Sequence, residues 1–183
     1  LSVFKFMSVE INYKSILVKK NSENLVLFVD DALNISNLKK YISSQEYSYI
    51  SDLITEIDKK KKIITYAINS KRKIILVSIK KNITNTEIEG LGAKFYDHFK
   101  KSEYKNFIIH TDTINNKLKN FIGYFLHGMK LKSYIFEKYK SKKEKRGIHV
   151  NVLGKNKPTV KEQVKFKAIE EGTFFARDLV SEP

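Results

Sequence analysis

Four histidines, His98, His110, His127 and His149, are the side chains best suited to bind a metal or move a proton near neutral pH, and their spacing argues against a zinc site. No two stand four residues apart as in an H-E-x-x-H pair, and there is no cysteine to complete a cluster. Each therefore reads as a surface or half-buried histidine. Asp30-Asp31 closes an apolar run. That is where α/β folds bind ligands and where paired acids suit a divalent cation, although ending a strand in a turn is the plainer use. Gly90-Leu91-Gly92 falls inside a helical stripe and lacks the third glycine of a dinucleotide loop, so it reads as close packing of a helix on a sheet. Neither a G-x-S-x-G elbow nor a G-x-x-x-x-G-K-[ST] phosphate loop occurs. Glu170, Glu171 and Asp178 read as solvated residues of the last helix. No residue is assigned a catalytic or metal-binding role.

Positive charge is the other possible source of function. The net charge is +15, from 35 basic and 20 acidic residues. It is carried by 32 Lys and only 3 Arg, in a chain with 22 Ile, 14 Asn and 5 Ala, the usage expected of an AT-rich coding sequence. Bidentate phosphate and base contacts favour arginine, so this charge reads first as a lysine-rich surface. The densest stretch runs from Lys130 to Arg146 and includes Lys138, Lys140, Lys142, Lys143 and Lys145, interleaved with Tyr134, Phe136 and Tyr139. Cations beside rings suit nucleic acid, and Lys138, Lys140, Lys142, Lys143, Lys145 and Arg146 are the candidate DNA contacts. The alternative is that the rings pack inward while the lysines solvate a loop.

The elements that would position these residues alternate between periods of two and 3.6, as in an α/β domain. Strands are expected at Val3 to Phe6, Ile16 to Val18 and Leu25 to Val29. Ser43 and Glu46 form a capping box that opens a helix over about 45–58. Ile63 to Ile68 and Lys73 to Ile79 lie on either side of a four-residue polar connection, which predicts a hairpin and hence a mixed sheet. Thr84 and Glu87 cap a second helix with Ile88, Leu91, Phe95 and Phe99 on one face. A strand at Phe107 to His110 leads to a helix running from Ile114 to Met129, and another strand is expected at Ile148 to Leu153. Pro158 opens the final helix, which carries Val160, Val164, Ala168, Gly172, Phe175 and Leu179 along one side. Strand-helix pairs with short loops predict parallel strands and right-handed crossovers.

A length of 183 residues with 42% hydrophobic residues supports one domain with a real core rather than a disordered chain. The absence of cysteine excludes a disulfide framework and fits a reducing compartment. No stretch reaches the roughly 18 to 20 apolar residues of a membrane span, and Leu1 to Tyr13 lacks the pattern of a secretory leader. The expectation is a soluble, cytoplasmic protein with no membrane partner. The chain does not begin with Met, and its final helix reads as leading into a further domain.

Three segments in order resemble the leucyl (cytosol) aminopeptidases, the M17 metallopeptidase family. Thr86 to Phe99 is similar to the family's helix after the central strand. Gly128 to Ser141 is similar to its "G..La.Y.FdkYk." segment. Ala176 to Pro183 is similar to the "ARDLVNEP" junction between its two domains, with Ser181 in place of the usual Asn. Ile79-Lys80-Lys81-Asn82 stands where a glycine-rich turn is common. The resemblance implies a single macro-domain-like α/β domain over residues 1–157, a mixed β-sheet flanked by helices, followed by an interdomain linker helix over 158–183. It implies a non-catalytic N-terminal domain with a role in assembly and active-site access. Its partners would be its own catalytic domain, which carries two divalent metals, zinc or manganese, and the other subunits of a homo-hexamer. The alternatives are a DNA-binding module using the Lys130 to Arg146 segment and a nucleotide-binding macro-like domain, against which the missing glycine turn counts.

Overall fold

The computed structural model describes residues 9–13, 24–134 and 147–182. Six strands, β1 (Val9–Asn12), β2 (Asn24–Asp30), β3 (Ile63–Ala67), β4 (Lys73–Ile79), β5 (Asn106–His110) and β6 (Ile148–Leu153), form one sheet in the order β1-β6-β5-β2-β4-β3. Every neighbouring pair is parallel except β3 and β4, the expected hairpin, which pairs Ile64 with Leu76 and Tyr66 with Ile74. The sheet is mixed, as the short polar connection required. The strands anticipated at Val3 to Phe6 and Ile16 to Val18 lie outside the described residues, and the short β1 was not foreseen.

Alternation along the strands divides the core into two layers. Val26, Phe28, Ile75, Val77, Phe107, Ile109, Val150 and Val152 face helices α2 (Asn85–Phe99) and α3 (Phe121–Lys132). Leu25, Leu27, Val29, Ile74, Leu76 and Ile108 face a 3₁₀ turn at Ser36–Lys40 and helix α1 (Ser44–Ile54). Strands covered on both sides read as nearly continuous apolar runs, which is what Leu25 to Val29 and Ile74 to Val77 are. On the α2/α3 side the filling is aromatic. Phe28 meets Phe121 and Phe125 edge-on at centroid distances of 5.2 and 5.6 Å, and Phe95 meets Phe107 and Phe125 at 5.5 and 5.6 Å. Each such pair adds roughly 0.5–1.5 kcal/mol beyond its buried area.

The capping boxes set the starts of three helices. In α1, α2 and α4 (Val160–Ser181) the hydroxyls of Ser43, Thr84 and Thr159 accept from the amides of Glu46, Glu87 and Glu162, whose carboxylates accept from the cap amides in return. The cap at Thr159 places Pro158 one residue before it, outside the first turn where the sequence had suggested it. Helix α3 begins at Phe121 rather than at Ile114. Thr111–Thr113 instead forms a 3₁₀ turn, Asn115 Oδ1 accepts from the Lys117 amide at 3.0 Å, and Asn120 takes a left-handed φ of 64°. The Asn115 side chain offers the backbone a local bond that competes with a helix, the left-handed Asn120 interrupts it, and Ile114 is buried from the loop.

Gly92 and Gly128 explain the glycine fragment, and the packing partner is a helix rather than the expected sheet. A Cβ on Gly92 would run into the Phe125 carbonyl, and one on Gly128 into the Glu89 carbonyl, so α2 and α3 cross with their backbones in contact. Gly90 faces open space, with nothing within 4 Å of an added Cβ. Gly92→Ala and Gly128→Ala should each destabilise the fold by about 1–3 kcal/mol through overpacking against rigid backbone. Gly90→Ala should stabilise it by about 0.5–1 kcal/mol through helix propensity. Thermal unfolding of the three variants tests this contrast, and equal losses at Gly90 and Gly92 would contradict the crossing.

Candidate functional site

A cleft of about 800 Å³ lies at the carboxyl ends of β2, β4 and β5. Open α/β sheets bind ligands at this edge. Phe28, Leu38, Ile79 and Ile114 form its apolar floor, and Asp30, Asn34, Lys80, Lys81, Asn115 and Lys117 are among the polar residues of its rim. Asp30 serves the turn that ends β2. Its carbonyl accepts from the Leu33 amide at 3.0 Å, its Oδ1 accepts from the Asn34 amide at 2.9 Å, and Leu33 takes a φ of 61°. Asp31 is exposed beside it. Asp30 therefore does the turn-forming work that was the plainer reading.

His110 ends β5 behind this cleft, half-buried, with its ring against Tyr41 at a centroid distance of 4.4 Å. Burial holds its pKa below the ordinary imidazole value, against an opposing pull from Asp112. Asp112 is itself engaged, because its Oδ1 accepts from the Lys155 amide at 2.7 Å beside Gly154, whose φ is 101°. A side chain on Gly154 would strike Thr111 and Asp112 as well as strain the backbone, so glycine is required there.

The amino end of α2, which opens at this edge, decides what the cleft offers an anion. Free amides at a helix start bind phosphates. Here those of Thr84 and Glu87 are taken up by the capping box, and Lys80 pairs with the Glu87 carboxylate. An internal carboxylate thus stands at the helix start, and the lysine that would attract a phosphate neutralises it. The hydrogen bond from Lys80, followed by that from the Thr84 amide, lowers the Glu87 pKa to about 2. Because the folded-state value lies below the unfolded one, Glu87 contributes stability that is complete above about pH 5 and lost as pH falls toward 2. Urea unfolding of the wild type and Glu87→Gln should therefore differ by a constant amount from pH 5 to 7, with the gap closing between pH 4.5 and 2. A gap independent of pH across that window would remove this role.

The candidate DNA contacts Lys138, Lys140, Lys142, Lys143, Lys145 and Arg146 lie outside the described residues. Two lysines at the near end of the same basic stretch are already paired, Lys130 with Glu170 at 3.2 Å and Lys132 with Asp97 at 3.2 Å. Tyr134 packs inward. It stacks on Phe174 at 5.4 Å and donates to Asp178 Oδ1 at 2.7 Å.

The contact between α3 and α4 corrects two expectations. His127 is neither a surface nor a half-buried histidine and Glu170 is not a solvated residue; both are buried, with Nδ1 and Oε1 2.8 Å apart. Lys130 supplies the second partner of the Glu170 carboxylate. Burial, reinforced by the Glu170 carboxylate, pushes the Tyr13 phenol up to about 12. Phe166 lies over Gly123 and His127, and Arg177 donates to the Leu131 carbonyl at 2.8 Å. These contacts fix which side of α4 faces the domain. It is the side of Phe166, Glu170, Phe174 and Arg177, while the apolar stripe of Val160, Val164, Phe175 and Leu179 faces solvent. His127 and Glu170 are 43 residues apart, so no local spacing could have joined them.

A mixed sheet between helical layers, with a cleft at its carboxyl edge, defines a macro-domain-like α/β fold. The macrodomain of Thermus aquaticus DarG superposes on 80% of the chain and 98% of its own length, with a TM-score of 0.51 and 12% identity. A mutant of tomato leucine aminopeptidase aligns with 97% of the chain at a TM-score of 0.66 and 18% identity, and the bottromycin maturation enzyme BotP, in complex with Mn, with 88% at 0.60 and 12%. The chain covers 38% and 32% of those two proteins. In sequence it is 33% identical over 120 residues to a probable cytosol aminopeptidase of Clostridium perfringens, and that match spans 60% of the chain but 24% of the relative. The family model of the inositol 1,3,4-trisphosphate 5/6-kinase pre-ATP-grasp domain matches residues 121–171, which covers α3, β6 and the first half of α4 and leaves the other five strands outside. Sequence and fold together make this chain similar to the N-terminal region of the M17 leucyl aminopeptidases.

Proposed function

We propose that this chain is the non-catalytic N-terminal domain of a leucyl aminopeptidase, serving subunit assembly and access to the active site. The observation that carries the reading is the 120-residue match to a cytosol aminopeptidase four times longer than the part matched. The fold shared with tomato leucine aminopeptidase over 97% of the chain supports it. In this reading the peptidase chemistry belongs to a catalytic domain with two divalent metals, zinc or manganese, which activate water and polarise the peptide carbonyl. Among the described residues no three His, Asp or Glu converge as a metal site, so no catalytic step is assigned to them. The homo-hexamer and the cytoplasm are the assembly and compartment that go with the same reading. No helix among the described residues is long and apolar enough to cross a membrane.

Leucine-amide hydrolysis with added manganese or zinc tests the proposal. The 183-residue chain should show none, and a protein extended through the native reading frame should show metal-dependent turnover. Inactivity of the extended protein with either metal would overturn the peptidase reading.

A further inference from the structure

The sheet ends at β3, whose outer side pairs with no strand among the described residues. Its register decides which backbone groups are left over. The Ser78 amide donates to the Lys62 carbonyl at 2.9 Å and the Ile68 amide to the Arg72 carbonyl at 3.0 Å, so the even-numbered residues exchange bonds with β4. The N–H and C=O groups of Ile63, Thr65 and Ala67 therefore point away from the sheet. A row of such groups is a template for another strand.

The side chains beside this edge are unanswered too. Glu46 ties one side of α1 to the β3–β4 hairpin through Arg72 at 2.6 Å, and on that side Tyr49 and Leu53 are 44 and 39% exposed. Tyr66, on β3, is only 4% exposed, yet its hydroxyl has no hydrogen-bond partner among the described residues, with the Tyr49 phenol close by. Positive charge stands at both ends of the strand. Lys59, Lys60, Lys61 and Lys62 precede it and Lys71 follows it, against Glu56 and Asp58. Asp58 Oδ1 already accepts from the Lys60 amide at 2.9 Å.

We propose that β3 accepts a short, extended, acidic segment of a partner polypeptide as a further strand of the sheet. The segment's main chain would bond to Ile63, Thr65 and Ala67, every second side chain would face Tyr49 and Leu53, and its carboxylates would meet the flanking lysines. A polar group set down beside Tyr49 would give the Tyr66 hydroxyl its missing partner. The outward groups alternate donor with acceptor, which matches a peptide main chain, whereas the phosphates of a nucleic acid only accept. A second copy of this chain fits poorly, because antiparallel β3 strands would bring Lys71 of one to Lys59–Lys62 of the other and parallel strands would set each lysine beside its own kind. The site does not rest on the peptidase reading, because it uses only residues of this chain.

Fluorescence anisotropy tests this with the 183-residue chain and a short labelled peptide of alternating valine and threonine, with glutamates at both ends. The peptide should bind, and more weakly as salt is raised. Thr65→Pro removes an outward N–H that the β3–β4 ladder does not use, so it should weaken binding by about tenfold or more with an unchanged far-UV spectrum. Replacing Lys59, Lys60 and Lys61 by Glu should weaken binding and flatten its salt dependence. The same peptide N-methylated at alternate residues should lose binding to the unaltered chain, which separates strand pairing from simple charge attraction without relying on any variant to fold. No binding at millimolar protein, equal affinity for the N-methylated peptide, indifference to Thr65→Pro, or tighter binding of a labelled oligothymidylate at the same site would each overturn the proposal.

Discussion

The backbone contact between α2 and α3 is the constraint on which the rest of this domain depends. Gly92 and Gly128 remove the two Cβ atoms that would hold the helices apart. Only at that separation can Phe95 and Phe125 meet each other while Phe95 also reaches Phe107 and Phe125 reaches Phe28 on the sheet. The position of α3 in turn determines that of α4, which attaches to the domain through α3 rather than through the sheet. A shift at the glycine crossing would therefore be passed outward to the helix that presents the exposed stripe.

The two helix-level contacts differ in kind. Between α2 and α3 the association is apolar and aromatic, with buried carbon excluding water. Between α3 and α4 it is largely polar, built from the His127–Glu170–Lys130 cluster and the Tyr134–Asp178 hydrogen bond. Buried charge adds little net stability but makes misalignment costly, because a shifted partner leaves an uncompensated ion. Such a joint holds a long helix at one rotation about its axis, and this is why its apolar side stays outward.

The carboxyl edge of the sheet shows how a general fold can keep its shape while its most reactive corner is closed. The cleft is present, but the helix start beside it is satisfied by Glu87, Thr84 and Lys80, and Asp30 and Asp112 are committed to turns. A helix start whose cap is taken up by its own carboxylate acts as scaffold, which fits the accessory role proposed for the domain.

The sequence by itself determined the local elements, because caps and hydrophobic period act within a few residues. Ser43–Glu46, Thr84–Glu87, the β3–β4 hairpin and the double-sided apolar runs of the central strands were all legible there. It also carried the family resemblance, in the order of three short segments. Tertiary structure decided what depends on partners distant in the chain. Periodicity located the stripe of α4 but not its direction, since an amphipathic pattern does not say which side finds a neighbour. Glu170 and His127 became buried because α3 and α4 meet, and Gly92 packed on a helix because Gly128, 36 positions later, left room for it. The extended helix read from Ile114 failed for a local reason of a different sort, as the Asn115 side chain competed for the backbone and Asn120 turned left-handed where the apolar period continued.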